Sequence, residues 1–156
     1  MITVEMLRRS RIFSDLDDNE LERIIPFCRE ESYAKGSLIC TEGDEATTLY
    51  ILDDGEVRLH YEICPQPNAC QNATILVDKP GYVACWSALV TPRRLTASAH
   101  SVSEVKVIAI DGKALNELME QDSHIGFVVM KGLAEVIGQR LREAKELELD
   151  RTMGAL

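Results

Sequence analysis

The chain has 156 residues, 46% of them apolar, which is the length of one ordinary domain with material for a single well-formed core. Its formal net charge of −9, from 17 Lys and Arg against 26 Asp and Glu, argues against a broad surface that tracks a phosphate backbone and leaves room only for a local basic patch. No apolar run approaches the roughly 18 to 20 residues of a membrane span, and the opening MITVEMLRRSRIF lacks the apolar stretch and cleavage site of a secretion signal, so a cytoplasmic protein with no membrane partner is expected.

In chain order, the first predicted helix starts at Asp17, whose side chain and that of Glu20 have the spacing of a capping box, and it carries Leu21, Ile24, Ile25 and Cys28 on one face. Pro26 removes a backbone donor and predicts a kink or an early end. From Ser32 to Ile110 the pattern changes to short β-rich runs at 37–41, 48–52, 56–61, 74–77, 96–101 and 105–110, separated by turns such as Glu42-Gly43-Asp44 and Lys79-Pro80-Gly81. Short strands so closely punctuated predict an antiparallel barrel or jelly roll. Asp54-Gly55, inside LYILDDGEVRLHYE, reads as the tight turn of a β-hairpin.

Helical periodicity then returns. Asp111 is placed to cap a short helix carrying Leu115, Leu118 and Met119, and Asp122 or Ser123 to cap a longer one reaching to about Asp150. On the long helix Met130, Leu133, Ile137, Leu141, Ala144 and Leu147 form a near-heptad stripe, with Arg140 near its centre, while Val129 and Val136 lie on an adjacent face. Two apolar faces predict that one rests on the β-domain and the other meets a second copy. Arg142 and Glu146 are spaced for an i, i+4 ion pair, and Gly132 and Gly138 weaken the isolated helix, which makes tertiary or dimer contacts more necessary.

The five cysteines, Cys28, Cys40, Cys64, Cys70 and Cys85, are odd in number and irregularly spaced, which fits reduced thiols better than a disulfide framework. Cys64 and Cys70 bound the loop CPQPNAC with His60 upstream. Two thiols without a second pair are a weak metal signal, so the loop is expected to hold free, reactive thiols, with a redox pair or an incomplete metal site as alternatives, and no metal or cofactor is assigned. No P-loop, nucleophile elbow, HExxH or dinucleotide fingerprint occurs, so no catalytic residue and no enzyme activity are expected. With three histidines in the chain, a metal-dependent cupin is disfavoured as well.

Three stretches, IFSDLDDNELERI, AKGSLICTEGDEATTLYILDDGEVRLH and the PG…ALV…PRRLTA region, resemble the cyclic nucleotide-binding domain of the catabolite-activator type of regulators. The resemblance covers almost the whole chain. It implies a mainly β, double-stranded β-helix (jelly roll) with flanking helices, a sensor part over 1–121 and a dimerisation helix with a short tail over 122–156. In that family a Gly-Glu pair opens the phosphate-binding cassette and an Arg follows about seven residues later. Anchoring on Ala88-Leu89, the resemblance puts Cys85 at the Gly, Trp86 at the Glu that binds the ribose, and Arg93 at the phosphate-binding Arg, with Arg94 beside it.

Cys85, Trp86, Ser87, Ala88, Arg93 and Arg94 therefore form the expected ligand-binding set. An indole offers only a donor, so Trp86 cannot accept the ribose hydrogen bond, and cyclic AMP or cyclic GMP is expected to bind weakly or not at all. Trp86 either stacks on an aromatic ligand or plugs the pocket, and the arginines suit a small anion or sit as exposed turn residues. In the long helix the family's base-contacting hydroxyls, after an Arg-Leu pair, are replaced by Ala144 and Lys145. The resemblance implies a non-catalytic ligand-sensing domain, a homodimer that takes a small anionic or aromatic ligand. No helix-turn-helix follows the long helix, so no direct DNA binding is expected and transcriptional output would need a separate output protein. The alternative is a structural or protein-interaction module whose pocket is filled by its own side chains.

Overall fold

The computed structural model describes residues 1–154, and the side chains of residues 1–146. Helix α1 (Val4–Arg8) is capped by Thr3, whose hydroxyl accepts from the amide of Met6, and it buries Leu7 completely. It is followed by α2 (Asp18–Ile24), where the capping box forms as expected: the amide of Glu20 donates to Asp17 Oδ1 at 2.9 Å and the amide of Asp17 donates to Glu20 Oε1 at 3.1 Å. Pro26 ends this helix in a single 3-10 turn over Ile25–Phe27.

Eight strands follow, β1 (Cys28–Tyr33), β2 (Leu38–Cys40), β3 (Thr48–Asp54), β4 (Val57–Ile63), β5 (Gln71–Val77), β6 (Val83–Ala84), β7 (Ser98–Ser101) and β8 (Val105–Asp111). They form two four-stranded sheets in the orders β1-β8-β3-β6 and β2-β7-β4-β5, with every pairing antiparallel. This is the jelly roll expected from the spacing of the short runs. The first sheet is covered on both sides, which is why VIAI, Val107 to Ile110, reads as an unbroken apolar run and is buried throughout. Ile108 and Ile110 of β8 face the helices with Leu49 and Ile51 of β3, while Val105, Val107 and Leu52 meet Val57, Val77 and Ala99 between the sheets.

Two departures from the predicted strands have local causes. Cys28, expected on a helical face, begins β1, a strand whose sequence CREESY carries no β-pattern of its own and which pairs with β8 from Cys28↔Ile110 to Tyr33↔Val105. The Asp54-Gly55 hairpin is corrected: β3 and β4 belong to different sheets, and the turn is a corner at which the chain passes from one sheet to the other. Gly55 alone carries the positive φ there, +100°, and a Cβ on it would stand 2.4 Å from the carbonyl oxygen of Glu104.

Asp111 caps α3 (Gly112–Gln121) by accepting from the amide of Ala114 at 3.0 Å, and Asp122 Oδ1 accepts from the amides of His124 and Ile125 to start α4 (Ser123–Gly154). The first half of α4 belongs to the core, since Ile125, Val129 and Leu133 are buried against the amino-terminal segment and α3. Gly132 permits this close approach, for a Cβ there would lie 2.8 Å from Cα of Ile12. Leu133 is therefore removed from the predicted outward stripe. The outward apolar face consists of Phe127, Met130, Ile137 and Leu141, exposed at 66, 38, 39 and 56%. Leu147 lies outside the described side chains. Arg142 does not reach Glu146 and donates instead to Oε1 of Gln139 at 2.9 Å. No helix among the described residues is long and apolar enough to cross a membrane.

Candidate functional site

The cassette region begins where β6 ends. Cys85 takes a left-handed conformation, φ 61° and ψ 35°, and caps a 3-10 turn over Trp86–Leu89. A positive φ is easy for glycine and uncommon for cysteine, so Cys85 holds a conformation that glycine would take more readily. Cys85, Trp86 and Ser87 line one small cavity of about 50 Å³ together with Cys40, Leu59, Leu95, Thr96 and Ala97. A second cavity of about 30 Å³, between the sheets, is bounded by Cys85, Ala84, Tyr50, Tyr82 and apolar strand residues. Spaces of this size hold a few waters, whereas a nucleotide-sized ligand needs roughly 300 Å³ or more.

The remaining predicted site residues are placed elsewhere. Ala88 is buried, with its carbonyl accepting from Nδ2 of Asn116 on α3 at 3.4 Å. Arg93 and Arg94 are exposed, and neither lines these cavities. Arg93 holds φ 55° in the loop, and Nη1 of Arg94 faces the carbonyl of Gly43 at 3.5 Å. The cavity is reached instead by the next residues along, Leu95, Thr96 and Ala97.

Sequence reasoning missed the group that dominates the site. Arg140 does not lie in the outward stripe of α4 but points back to the roll, its guanidinium 4.0 Å from the ring centroid of Tyr82 and 4.4 Å from that of Trp86. It also donates through Nη2 to the carbonyl of Val83. A planar cation between two aromatic faces is a favourable arrangement, more so when partly desolvated. Burial pulls the Arg140 pKa down from its ordinary value, against the pull of Tyr82 and Glu143, and no carboxylate lies within ion-pair distance among the described residues. Trp86 thus borders the cavity of about 50 Å³ and, together with Arg140, lines an open groove of about 410 Å³, with Tyr61, Ile75, Leu76, Asp78, Lys79, Tyr82, Thr96, Glu143 and Ala144. The Arg-Leu pair was visible in sequence. Its facing was not.

The loop 64–70 also differs from expectation. Cys64 and Cys70 are joined in a disulfide, so the two free reactive thiols are corrected to one bridged pair. Their Cα atoms are 4.1 Å apart, which the tight CPQPNAC turn allows although spacing alone did not reveal it. His60 stands 3.4 Å from the Thr74 hydroxyl and is not among the groups near this pair.

An antiparallel roll of two four-stranded sheets, a short 3-10 turn after β6 and a long helix whose Arg140 reaches that turn define a jelly-roll β-domain with flanking helices. The family model described as cyclic nucleotide-binding domain matches residues 30–122, more than half of the chain, and the protein belongs to that family. A Geobacter metallireducens GS-15 protein of known crystal structure is 32% identical, covers 90% of this chain and 99% of its own, and superposes with a TM-score of 0.75. The cAMP-dependent protein kinase regulatory subunit of Candida albicans is 24% identical over 92% of this chain, and a CRP-like cAMP-activated global transcriptional regulator of Mycobacterium tuberculosis is 22% identical over 88%. The chain spans 31% and 58% of the lengths of these two regulators.

Proposed function

We propose that this chain is a non-catalytic regulatory sensor that does not take cyclic AMP or cyclic GMP in the usual way and instead reads a small anionic or aromatic molecule in the groove between the β4–β5 ribbon and α4. One observation carries the reading: the Arg140 guanidinium is held between Tyr82 and Trp86, so that the cassette and α4 meet at a cation that lines the groove. A ligand that competes for Trp86 or pairs with Arg140 must alter the contact between the cassette and α4, and its binding energy then biases the helix position. The residues proposed to touch it are Trp86, Tyr82, Thr96 and Arg140, with Cys85 and Ser87 behind them. Arg93 and Arg94 remain a second, outer anion-facing pair.

The sensor part is 1–121, and 122–156 supplies the signalling helix, a functional division, because Ile125, Val129 and Leu133 fold with the sensor core. The outward stripe of α4 pairs with a second copy, in the cytoplasm, and a separate output protein carries the signal onward. A self-filled interaction module is the second reading, favoured by the 30 and 50 Å³ inner cavities. Native mass spectrometry of the purified chain separates the two. The sensor reading predicts a retained small molecule that is lost in Arg140→Ala. A ligand-free wild type that also shows no thermal shift with a panel of aromatic carboxylates and phosphates would support the second.

A further inference from the structure

Beneath the groove, the Sγ atoms of Cys40 and Cys85 lie 3.6 Å apart, the one at the end of β2 and the other at the start of the cassette. Both thiols are free, both are half-buried, and both line the cavity of about 50 Å³. We propose that Cys40 and Cys85 form a dithiol modification site, oxidised by a small hydroperoxide to an intramolecular disulfide that ties β2 to the cassette. The inference is independent of what the groove binds.

Three features of the site favour this chemistry. A disulfide needs its sulfurs about 2.05 Å apart, so the pair must close by roughly 1.5 Å, a movement of side-chain scale. Cys40 sits where the pairing of β2 with β7 shifts register, between Leu38 and Cys40, and Cys85 sits in a left-handed turn, so neither is locked into a regular ladder. The cavity admits a molecule of a few heavy atoms and presents Ser87 and Thr96 among its polar lining, which suits hydrogen peroxide and excludes bulky oxidants. The thiols also differ. Cys40 is held below the ordinary cysteine value, chiefly by its hydrogen bond with Cys85, whereas that bond and burial push Cys85 up. Cys28, by contrast, is pushed up to about 12 by burial and donates to the carbonyl of Ile24, with no thiol beside it.

Cys40 also borders a more open cavity of about 190 Å³ with Thr41, Asp44 and Thr48, which Cys85 does not reach, so an incoming peroxide meets Cys40 first and it is the attacking group. Its thiolate forms a bond to one peroxide oxygen while the O–O bond breaks, giving the sulfenic acid of Cys40 and, after the thiol proton is taken up, one water. Sγ of Cys85 then bonds to Sγ of Cys40, the S–O bond breaks, and the hydroxide leaves with the proton of Cys85 as a second water. Two thiols lose two hydrogens and two electrons, and one peroxide is reduced to two waters. The new bond pulls the turn that carries Trp86, which makes tryptophan fluorescence a direct reporter.

The test is thiol counting in denaturant on the full chain, purified without reductant and treated with a small excess of hydrogen peroxide, followed by mapping of unreduced peptides. Three free thiols, Cys28, Cys40 and Cys85, are expected to fall to one, Cys28, with a Cys40–Cys85 linked peptide and a fluorescence change that dithiothreitol reverses. Cys85→Gly, which suits the positive φ, should accumulate a dimedone-trapped sulfenic acid at Cys40, and Cys40→Ser should leave Cys85 unoxidised. Retention of all three thiols, or their loss without a Cys40–Cys85 peptide, would overturn the proposal. So would sulfenic acid at Cys85 in Cys40→Ser with none at Cys40 in Cys85→Gly.

Discussion

Ile137→Glu is expected to turn a dimeric chain into a monomer in sedimentation velocity. Ile137 lies between Met130 and Leu141 on the face of α4 that the roll leaves uncovered, and these large apolar side chains are more than a third exposed. Contiguous apolar surface of this kind on a helix is stable in water when a second copy covers it. Burial of an isoleucine contributes about 1.5–3 kcal/mol, and two-fold symmetry counts it twice, so the charge should weaken association by roughly 100-fold to 10,000-fold. Leu133→Ala, on the adjoining buried face, should instead lower stability by about 2–5 kcal/mol and leave the dimer intact. A wild-type monomer, or a dimer indifferent to Ile137→Glu, would remove the interface from this face.

Gly55→Ala is expected to lower unfolding stability by roughly 2–5 kcal/mol, the sum of a left-handed backbone imposed on alanine and the displacement of a packed neighbour. The neighbour is backbone, because the new Cβ would meet the Glu104 carbonyl oxygen at 2.4 Å and Cα of Val105 at 2.9 Å. No rotamer change relieves that contact, and the corner it distorts is the link between the two sheets. A urea midpoint unchanged from wild type would show that the corner is looser than its packing indicates.

What the sequence disclosed and withheld follows from the range of the interactions involved. Local chemistry was legible: the Asp17–Glu20 capping box, the Asp111 and Asp122 caps, the break at Pro26, and the strands β3 and β8 all announce themselves within a few residues. Strand β1 did not, because CREESY acquires its conformation from β8 almost eighty residues away. Gly55 showed that the chain turns without showing which sheet receives it. On α4, Leu133 and Arg140 lie close to the boundary between two apolar faces, where a small rotation decides whether a side chain points to the roll or to solvent. Periodicity alone placed both outward. The site was half legible for the same reason. Cys85 and Trp86 sit together in the turn after β6, but Cys40 and Leu95, which border the same small cavity, and Arg140, which stacks on Trp86, come from β2, a loop and α4.

Isothermal titration of the full chain with cyclic AMP and cyclic GMP tests the central claim most directly, that Trp86 and Arg140 close the place where such a nucleotide would sit. With Trp86 at the position where the resemblance puts the family's ribose-binding carboxylate, a donor-only indole forfeits about 1.5–3 kcal/mol, or one to two decades of affinity, before the ring's own volume is counted. Weak binding or none is therefore predicted for the wild type, with Trp86→Glu strengthening it by about tenfold or more. Sub-micromolar affinity of the wild-type chain for either nucleotide would contradict the account.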